Sequence, residues 1–110
     1  MASTFKNAIS AGIGTGATSV LTAGSGKQVT VIGVSLANTT SSAITAVVQV
    51  TDTSASATAH IVKDVPIAVG ASAVVIGGEQ KLVLEATDIL KITSSASSSI
   101  DAVVSYVEIS

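Results

Sequence analysis

The 110-residue chain contains no cysteine, no arginine and no tryptophan, and only two aromatic residues, Phe5 and Tyr106. Without cysteine it can form neither a disulfide framework nor a thiolate metal site. Nucleic-acid binding depends on a basic stripe, usually with arginines or stacking aromatics. Here five lysines against seven acids give a net charge of −2. We therefore expect no cofactor, no metal and no nucleic-acid partner.

Long apolar runs are also absent. No run approaches the roughly 20 residues that a membrane span requires. The opening residues, MASTFKNAIS, lack the apolar stretch of a secretion signal. We therefore expect no membrane partner, and we expect synthesis and assembly in a cytoplasm.

What the chain does contain predicts an all-β protein. Hydrophobic residues make up 47% of it, almost all Val, Ile, Leu and Ala, and most of the remainder is Ser, Thr and Gly. Branched side chains favour pleated backbone over helix. We predict a single antiparallel β-sandwich, jelly-roll-like with about eight strands, over residues 17–110, preceded by an N-terminal arm at residues 1–16. The predicted strands are Thr18–Thr22, Val29–Ala37, Ala43–Thr51, Ala59–Lys63, Ala73–Ile76, Lys81–Leu84, Ile89–Thr93 and Ile100–Ile109.

Two connections carry distinct expectations. PIAVGASAVVIGG is predicted to cross from one sheet to the other, because Pro66 cannot occupy a central strand. The serine-rich TSSASSSID is only a few residues long and lies between two strong strands, so we expect a hairpin loop there rather than a disordered linker.

Alternation of apolar and polar residues indicates which strands are buried on one face. Residues 43–51 alternate cleanly, as a half-buried strand does. The last strand places Ile100, Ala102, Val104 and Tyr106 on one face, yet its other face also carries valines. Residues 29–36 change phase midway, which either a β-bulge or burial on both faces would explain.

A sandwich of this size has one interior, so apolar second faces would remain exposed to water. We therefore expect the domain to pack against copies of itself or against another protein. Phe5 either docks on a neighbour or fastens the arm to its own domain. The candidate interface residues are Phe5, Ile9, Val47, Val103, Val107 and Ile109.

No catalytic constellation is visible in the sequence. GSGKQ fails as a phosphate-binding loop, because Leu21 stands where the first glycine is needed and Gln28 where the Ser or Thr is needed. We expect instead a turn in which Gly24 and Gly26 have positive φ. His60 and Asp64 would lie about 13 Å apart along a strand, too far for a catalytic triad. We expect strand-end acids to cap turns, namely Asp52, Asp64, Asp88, Asp101, Glu79 and Glu85. The chain is thus predicted not to be an enzyme.

Nearly the whole chain resembles a group of small virion structural proteins of tailed bacteriophages, notably phages of marine bacteria and cyanobacteria. The resemblance lies in MASTFKNAIS, TVIGVSLANTT, IVKDVPIAVG, VVIGGEQKLVLEATDILKITSSA and DAVVSYVEIS, and most specifically in a Pro-containing turn, a GGEQKLVLE hairpin and a TDILKITSS strand. It implies a β-sandwich subunit present in many copies on the virion, either decorating the capsid or belonging to the tail, neck or fibres. Expected partners are copies of itself and other virion proteins such as the major capsid protein. The alternative is a module that binds a host-surface glycan or receptor.

Overall fold

The computed structural model describes residues 3–77 and 81–109, so the predicted turn residue Glu79 lies outside the described part. The secondary structure of that part is entirely strands and their connections. In chain order the strands are β1 (Ser3–Ile13), β2 (Thr18–Thr22), β3 (Gln28–Asn38), β4 (Ile44–Asp52), β5 (Ala57–Ile67), β6 (Ser72–Ile76), β7 (Leu82–Leu84), β8 (Ile89–Ser94) and β9 (Ile100–Ile109).

The strands form two antiparallel sheets. Sheet A has the order β1-β9-β3-β6, with β7 also paired to β3, and sheet B has the order β2-β8-β4-β5. β6 pairs with the second half of β3 and β7 with its first half, in the same direction, so the two together occupy one strand position. With β6 and β7 counted as one, the two four-strand orders are those of a jelly roll. The predicted fold class is confirmed.

The core lies between the sheets and consists of aliphatic side chains from alternate positions. In β4, the side chains of Ile44, Ala46 and Val48 are at most 4% exposed, as the alternation predicts. In β9 the predicted inward face is buried from Ile100 to Tyr106. The largest fully buried side chains come from both sheets, so the two inner faces interdigitate; they are Val29, Val31, Val34, Leu36, Val48, Ile67, Ile76, Leu84, Leu90, Ile92, Ile100 and Val104.

The phase change in β3 is a β-bulge. The register between β3 and β9 shifts between Val31 and Gly33, so Ile32 is the extra residue. Because of this shift, Val31 and Val34 both face the core, at 0% and 1% exposure. Apart from the half-buried Ile32, the outward side of β3 therefore carries small or polar side chains, and the bulge accounts for the phase change.

The N-terminal segment differs from the free arm that the sequence predicts. Residues 3–13 form β1, an edge strand of sheet A that pairs with β9 from Ser3↔Ile109 to Ile13↔Ile100. Ile13 reaches the core and is 2% exposed, whereas Phe5 is 78% exposed. The segment is thus fastened to its own domain by backbone pairing, and the Phe5 ring does not contribute to that attachment.

Two connections predicted as hairpins are not hairpins. Residues 95–99 join β8 in sheet B to β9 in sheet A, so the serine-rich segment crosses between sheets. Its turn is held by Ser99, whose buried hydroxyl contacts that of Ser94 and donates to the carbonyl of Ala96. Part of the GGEQKLVLE segment, residues 78–80, lies outside the described residues; the strands on either side of it, β6 and β7, do not pair with each other, because they run in the same direction along β3.

The crossover predicted around Pro66 is confirmed. Pro66 lies in β5, an edge strand of sheet B, and the chain then enters β6 in sheet A. Asn38, 6% exposed at the end of β3, fixes this crossover. Its amide nitrogen donates to the carbonyls of Ser42 (2.8 Å) and Ile67 (3.1 Å), and its carbonyl oxygen accepts from the backbone N–H of Thr40 (2.9 Å). One side chain therefore joins the β3–β4 and β5–β6 connections.

Replacing Asn38 by the isosteric aspartate (Asn38→Asp) is expected to lower the free energy of unfolding by about 3 kcal/mol or more, because it removes the donor and sets a buried carboxylate against carbonyl oxygens. Urea denaturation measures the effect. The matched control is Gln49→Glu, since the Gln49 amide contacts only the exposed His60 ring; we expect it to change stability by about 0.5 kcal/mol or less. Equal effects of the two substitutions would contradict the assigned role of Asn38.

Candidate interaction surface

The outward side of sheet A, called outer face A, collects the apolar side chains that the core leaves out. Side chains alternate along each strand and directly paired residues share a face. Applied to the observed register, these rules define outer face A. Its members are Ser3, Phe5, Asn7, Ile9, Gln28, Thr30, Gly33, Ser35, Ala37, Ser72, Val74, Val83, Asp101, Val103, Ser105, Val107 and Ile109.

The register arranges this face in rows that run across the strands. One row reads Phe5, Val107, Thr30, Val83. A second row, two pairs further along β1, reads Ile9, Val103, Ser35, Val74. Between them lies a row of small or polar residues, Asn7, Ser105 and Gly33. Two apolar ridges thus flank a shallow polar strip.

These ridges hold most of the exposed large hydrophobic side chains of the described residues. Phe5, Val74 and Ile9 are 78%, 72% and 70% exposed, and Val83 and Val103 are 61% and 43% exposed. The remaining one, Val69, lies in the β5–β6 connection. Soluble monomers seldom expose a contiguous apolar patch of this kind unless it binds something.

Charge is nearly absent from outer face A. Its one ionisable side chain is Asp101, near one end of β9, and the carboxylate there accepts the backbone N–H of Gly12 at 3.0 Å. Apart from Asp101, outer face A therefore carries no charge that would attract a charged ligand or that would be costly to bury against another apolar surface.

The outward side of sheet B is different in character. Its members, by the same alternation and register, are mostly hydroxyl, amide or charged residues, and they are Ser19, Thr22, Thr45, Val47, Gln49, Thr51, Thr58, His60, Pro66, Ile89, Lys91 and Thr93. Val47 is half-buried among them and pairs with Thr93. The two outward faces of the sandwich are thus unequal, one polar and one apolar.

The structure brings together five of the six candidate interface residues. Phe5, Ile9, Val103, Val107 and Ile109 share outer face A, whereas Val47 lies on the opposite sheet. The sequence analysis missed Val74 and Val83. The signal was present: Val83 stands between Leu82 and Leu84, so an inward pair of leucines requires an outward valine.

The His60 ring contacts the side chain of Gln49. It lies on edge strand β5 and its Nε2 is 3.3 Å from the Gln49 amide nitrogen. Within residues 3–77 and 81–109, no serine or carboxylate forms a hydrogen bond with the ring. These described residues also enclose no pocket.

Three carboxylates, those of Asp52, Glu85 and Asp88, have oxygens within 4.8 Å of one another. Asp88 is 3% exposed, and its oxygens accept the backbone N–H groups of Thr53 (3.2 Å) and Glu85 (3.0 Å). Asp52 accepts from the Ser54 hydroxyl at 2.8 Å, the main cause of the lowered pKa of Asp52. These contacts confirm the predicted turn-capping role for Asp52 and Asp88, whereas Asp101 accepts the N–H of Gly12 within β1, where the register with β9 shifts.

The GSGKQ segment is a turn between β2 and β3. The N–H of Lys27 donates to the carbonyl of Gly24 at 3.1 Å, and Gly26 has a φ of 74°. The expectation for Gly26 is confirmed, but that for Gly24 is wrong, because the turn places only Gly26 in the left-handed region. The Lys27 ammonium lies 3.5 Å from the carboxylate of Glu108.

A second lysine lies closer to the Glu108 carboxylate than Lys27 does, and it connects β1 to β9 through side chains. The Lys6 ammonium donates to Glu108 Oε1 at 2.9 Å. This hydrogen bond is the main reason that the pKa of Glu108 is lowered and that of Lys6 is raised; Lys27 lowers the pKa of Glu108 further.

Comparison with known proteins supplies no relative: no family model matches the chain, and no curated protein is similar to it. The part of the chain that the structure describes has no helix with the length and hydropathy needed to cross a lipid bilayer.

Replacing Lys6 by methionine (Lys6→Met) is expected to raise the pKa of Glu108 toward that of a free glutamate, because the principal hydrogen bond is lost. A lowered folded-state pKa means that the pair stabilises the fold above the ordinary glutamate pKa of about 4.3, and that this contribution is lost as the pH falls through the lowered value. Side-chain carboxyl chemical shifts measured against pH report the change. Lys27→Met is the matched control and should raise the pKa less; a larger effect of Lys27→Met would contradict the assignment.

Proposed function

We propose that the chain is a non-enzymatic structural subunit of a tailed-phage virion, present in many copies as a capsid decoration or cement protein. The observation that carries the proposal is outer face A, an apolar and almost uncharged sheet surface. Such a surface is suited to packing against another protein. The virion context comes from the sequence resemblance, and the jelly roll is an architecture that capsid proteins use.

The form of outer face A favours a protein neighbour over a small ligand. Small-molecule sites are concave and combine apolar walls with a few converging polar groups. Outer face A is an open sheet surface, and its polar strip consists of Asn7 and Ser105 beside Gly33. Glycan binding usually relies on aromatic platforms, and Phe5 is the only exposed aromatic ring in the described residues.

The energetics favour many contacts made together. Burying about 500 Å² of apolar surface contributes roughly 12 kcal/mol. The loss of translational and rotational freedom on association costs about 4–15 kcal/mol. One such contact is therefore of moderate strength. In a shell, each subunit also touches other copies. Once one contact has formed, the second forms at high effective concentration, so most binding positions on the particle are occupied. A cement protein stabilises a particle in this way, by bridging major capsid subunits.

Placing a lysine in the middle of outer face A (Val103→Lys) is expected to reduce the number of subunits per purified particle at least several-fold, because the ammonium would have to be desolvated at the contact. Quantitative mass spectrometry of particles, with the variant replacing the wild-type chain, measures the copy number. Val69→Lys is the matched control, since Val69 is a valine of similar exposure away from this face, and we expect wild-type copy number for it.

Labelling intact particles with an antibody fragment against the chain, viewed by electron microscopy, locates the copies. Labels covering the head support the capsid assignment. Labels confined to the tail, or particles without the chain, contradict it, and selective binding to a host glycan would favour the alternative module.

A further inference from the structure

The free edge of sheet A at β1 differs from the other sheet edges in having little to prevent strand addition. Native proteins protect exposed edges with short strands, proline, charged residues or bulges, because an unprotected edge pairs with other chains. Among the described residues, the two sheets present four edges: β1, the β6–β7 line, β2 and β5.

Three of these edges are protected. β2 has five residues and a register shift between Ser19 and Leu21. β6 and β7 have five and three residues and are not continuous. β5 is long, but it contains Lys63, Asp64 and Pro66, its register with β4 shifts twice, and Asp64 has a φ of 55°.

β1 has fewer of these devices, and its one register shift with β9 lies near its end, between Ser10 and Ile13. It runs for 11 residues without proline, and its pairing with β9 keeps one register from Ser3 to Ser10. Its only charged residue is Lys6, whose ammonium is engaged by Glu108 of the same chain at 2.9 Å. A segment of eight residues in continuous register therefore presents to solvent the backbone N–H and C=O groups that point away from β9.

We propose that β1 pairs antiparallel with β1 of a second copy of this chain, about a two-fold axis at Asn7, and so joins two copies of sheet A into one sheet. The proposal identifies a second copy as a partner of the subunit described under Proposed function. It rests on that function only in placing the two copies in a particle. A two-fold axis perpendicular to the sheet keeps outer face A of both copies on the same side.

The side chains of β1 select this register. With the axis at Asn7, Phe5 of each copy lies opposite Ile9 of the other, giving two aromatic–β-branched pairs, a favourable cross-strand combination. With the axis at Lys6, two ammonium groups would be opposed. With the axis at Ala8, Phe5 would face Ala11 and Ile9 would face Asn7, so neither large apolar side chain would have a large apolar partner.

A second copy is favoured over a strand of another protein because the side chains of β1 are complementary to those of an antiparallel β1. The Asn7 register sets Lys6 opposite Ala8 and Thr4 opposite Ser10, so no like charges meet. The pairing also buries the β1 edge of both copies. At the other side of each sheet the β6–β7 edge is protected, so no further strand adds there. The result is a closed pair rather than a filament.

A single cysteine tests the arrangement, because the chain has none of its own. Residues directly opposite in an antiparallel pair have Cα atoms about 4.5–5.5 Å apart, within disulfide range. Asn7→Cys is therefore expected to become mostly disulfide-linked dimer under mild oxidation, seen on non-reducing gels.

Ser105→Cys is the matched control, because Ser105 pairs with Asn7 one strand further from the edge. Its counterpart in the second copy would be three strand spacings away, about 14 Å, so it should not cross-link and should run as a single chain on the same gels. Equal cross-linking of the two variants would indicate face-to-face packing and overturn the proposal, as would a failure of Asn7→Cys to cross-link.

A charge exchange tests the register. Phe5→Glu and Ile9→Lys are each expected to weaken dimerisation at least several-fold, and the double variant is expected to recover most of the loss, because each carboxylate would face an ammonium of the other copy. Within one chain these positions are about 13 Å apart, so no internal pair forms. Sedimentation velocity measures dimerisation, and circular dichroism checks that the β fold is kept. A double variant weaker than both single variants overturns the register.

These outcomes separate the dimer from the proposed function. If Asn7→Cys does not cross-link while Val103→Lys still loses incorporation into particles, the β1 pair is overturned and the structural role remains. If cross-linked dimers form but the chain is absent from particles, the β1 pair is supported and the virion role fails.

Discussion

The two-residue period of β-strands is the constraint on which the rest of this structure depends. Each strand has two sides, and a two-layer sandwich buries one side of each. Aliphatic residues from both sheets fill that single interior, and Tyr106 is the only aromatic ring that reaches it. Any further apolar side chain must lie outside, so the excess on β1, β6, β7 and β9 becomes a surface rather than core.

The bulge at Ile32 determines how large that surface is. Without the extra residue, either Val29 and Val31 or Val34 and Leu36 would face outward, and β3 would add a third apolar ridge. With it, β3 contributes Thr30, Gly33 and Ser35 to outer face A and keeps its valines and leucine inside. One inserted residue thus keeps the valines and the leucine of β3 in the core and off outer face A.

The sequence was enough to predict the buried face of strands whose two faces differ in polarity. It was not enough where the conformation of a segment depends on the strand that lies beside it. β4 alternates cleanly, and the buried faces of β4 and β9 were predicted although the second face of β9 also carries valines. β1 does not alternate cleanly: Thr4 and Lys6 on its inward side are polar and exposed, so no pattern marks it as a strand, and its conformation is imposed by β9. The serine-rich connection was taken for a hairpin because local residues specify a turn, but not whether the next strand joins the same sheet. Val74 and Val83 lie in short strands, where the pattern rests on one or two neighbouring residues, such as Leu82 and Leu84 on either side of Val83.

The pairing of β1 with β9 has a consequence for biosynthesis. Ser3 pairs with Ile109, so β1 can take its place in sheet A only after β9 has been synthesised. Contacts between such distant parts of a chain form slowly. Until then β1 is an unpaired strand that exposes Phe5 and Ile9, and exposed strands of this kind are prone to aggregate during folding.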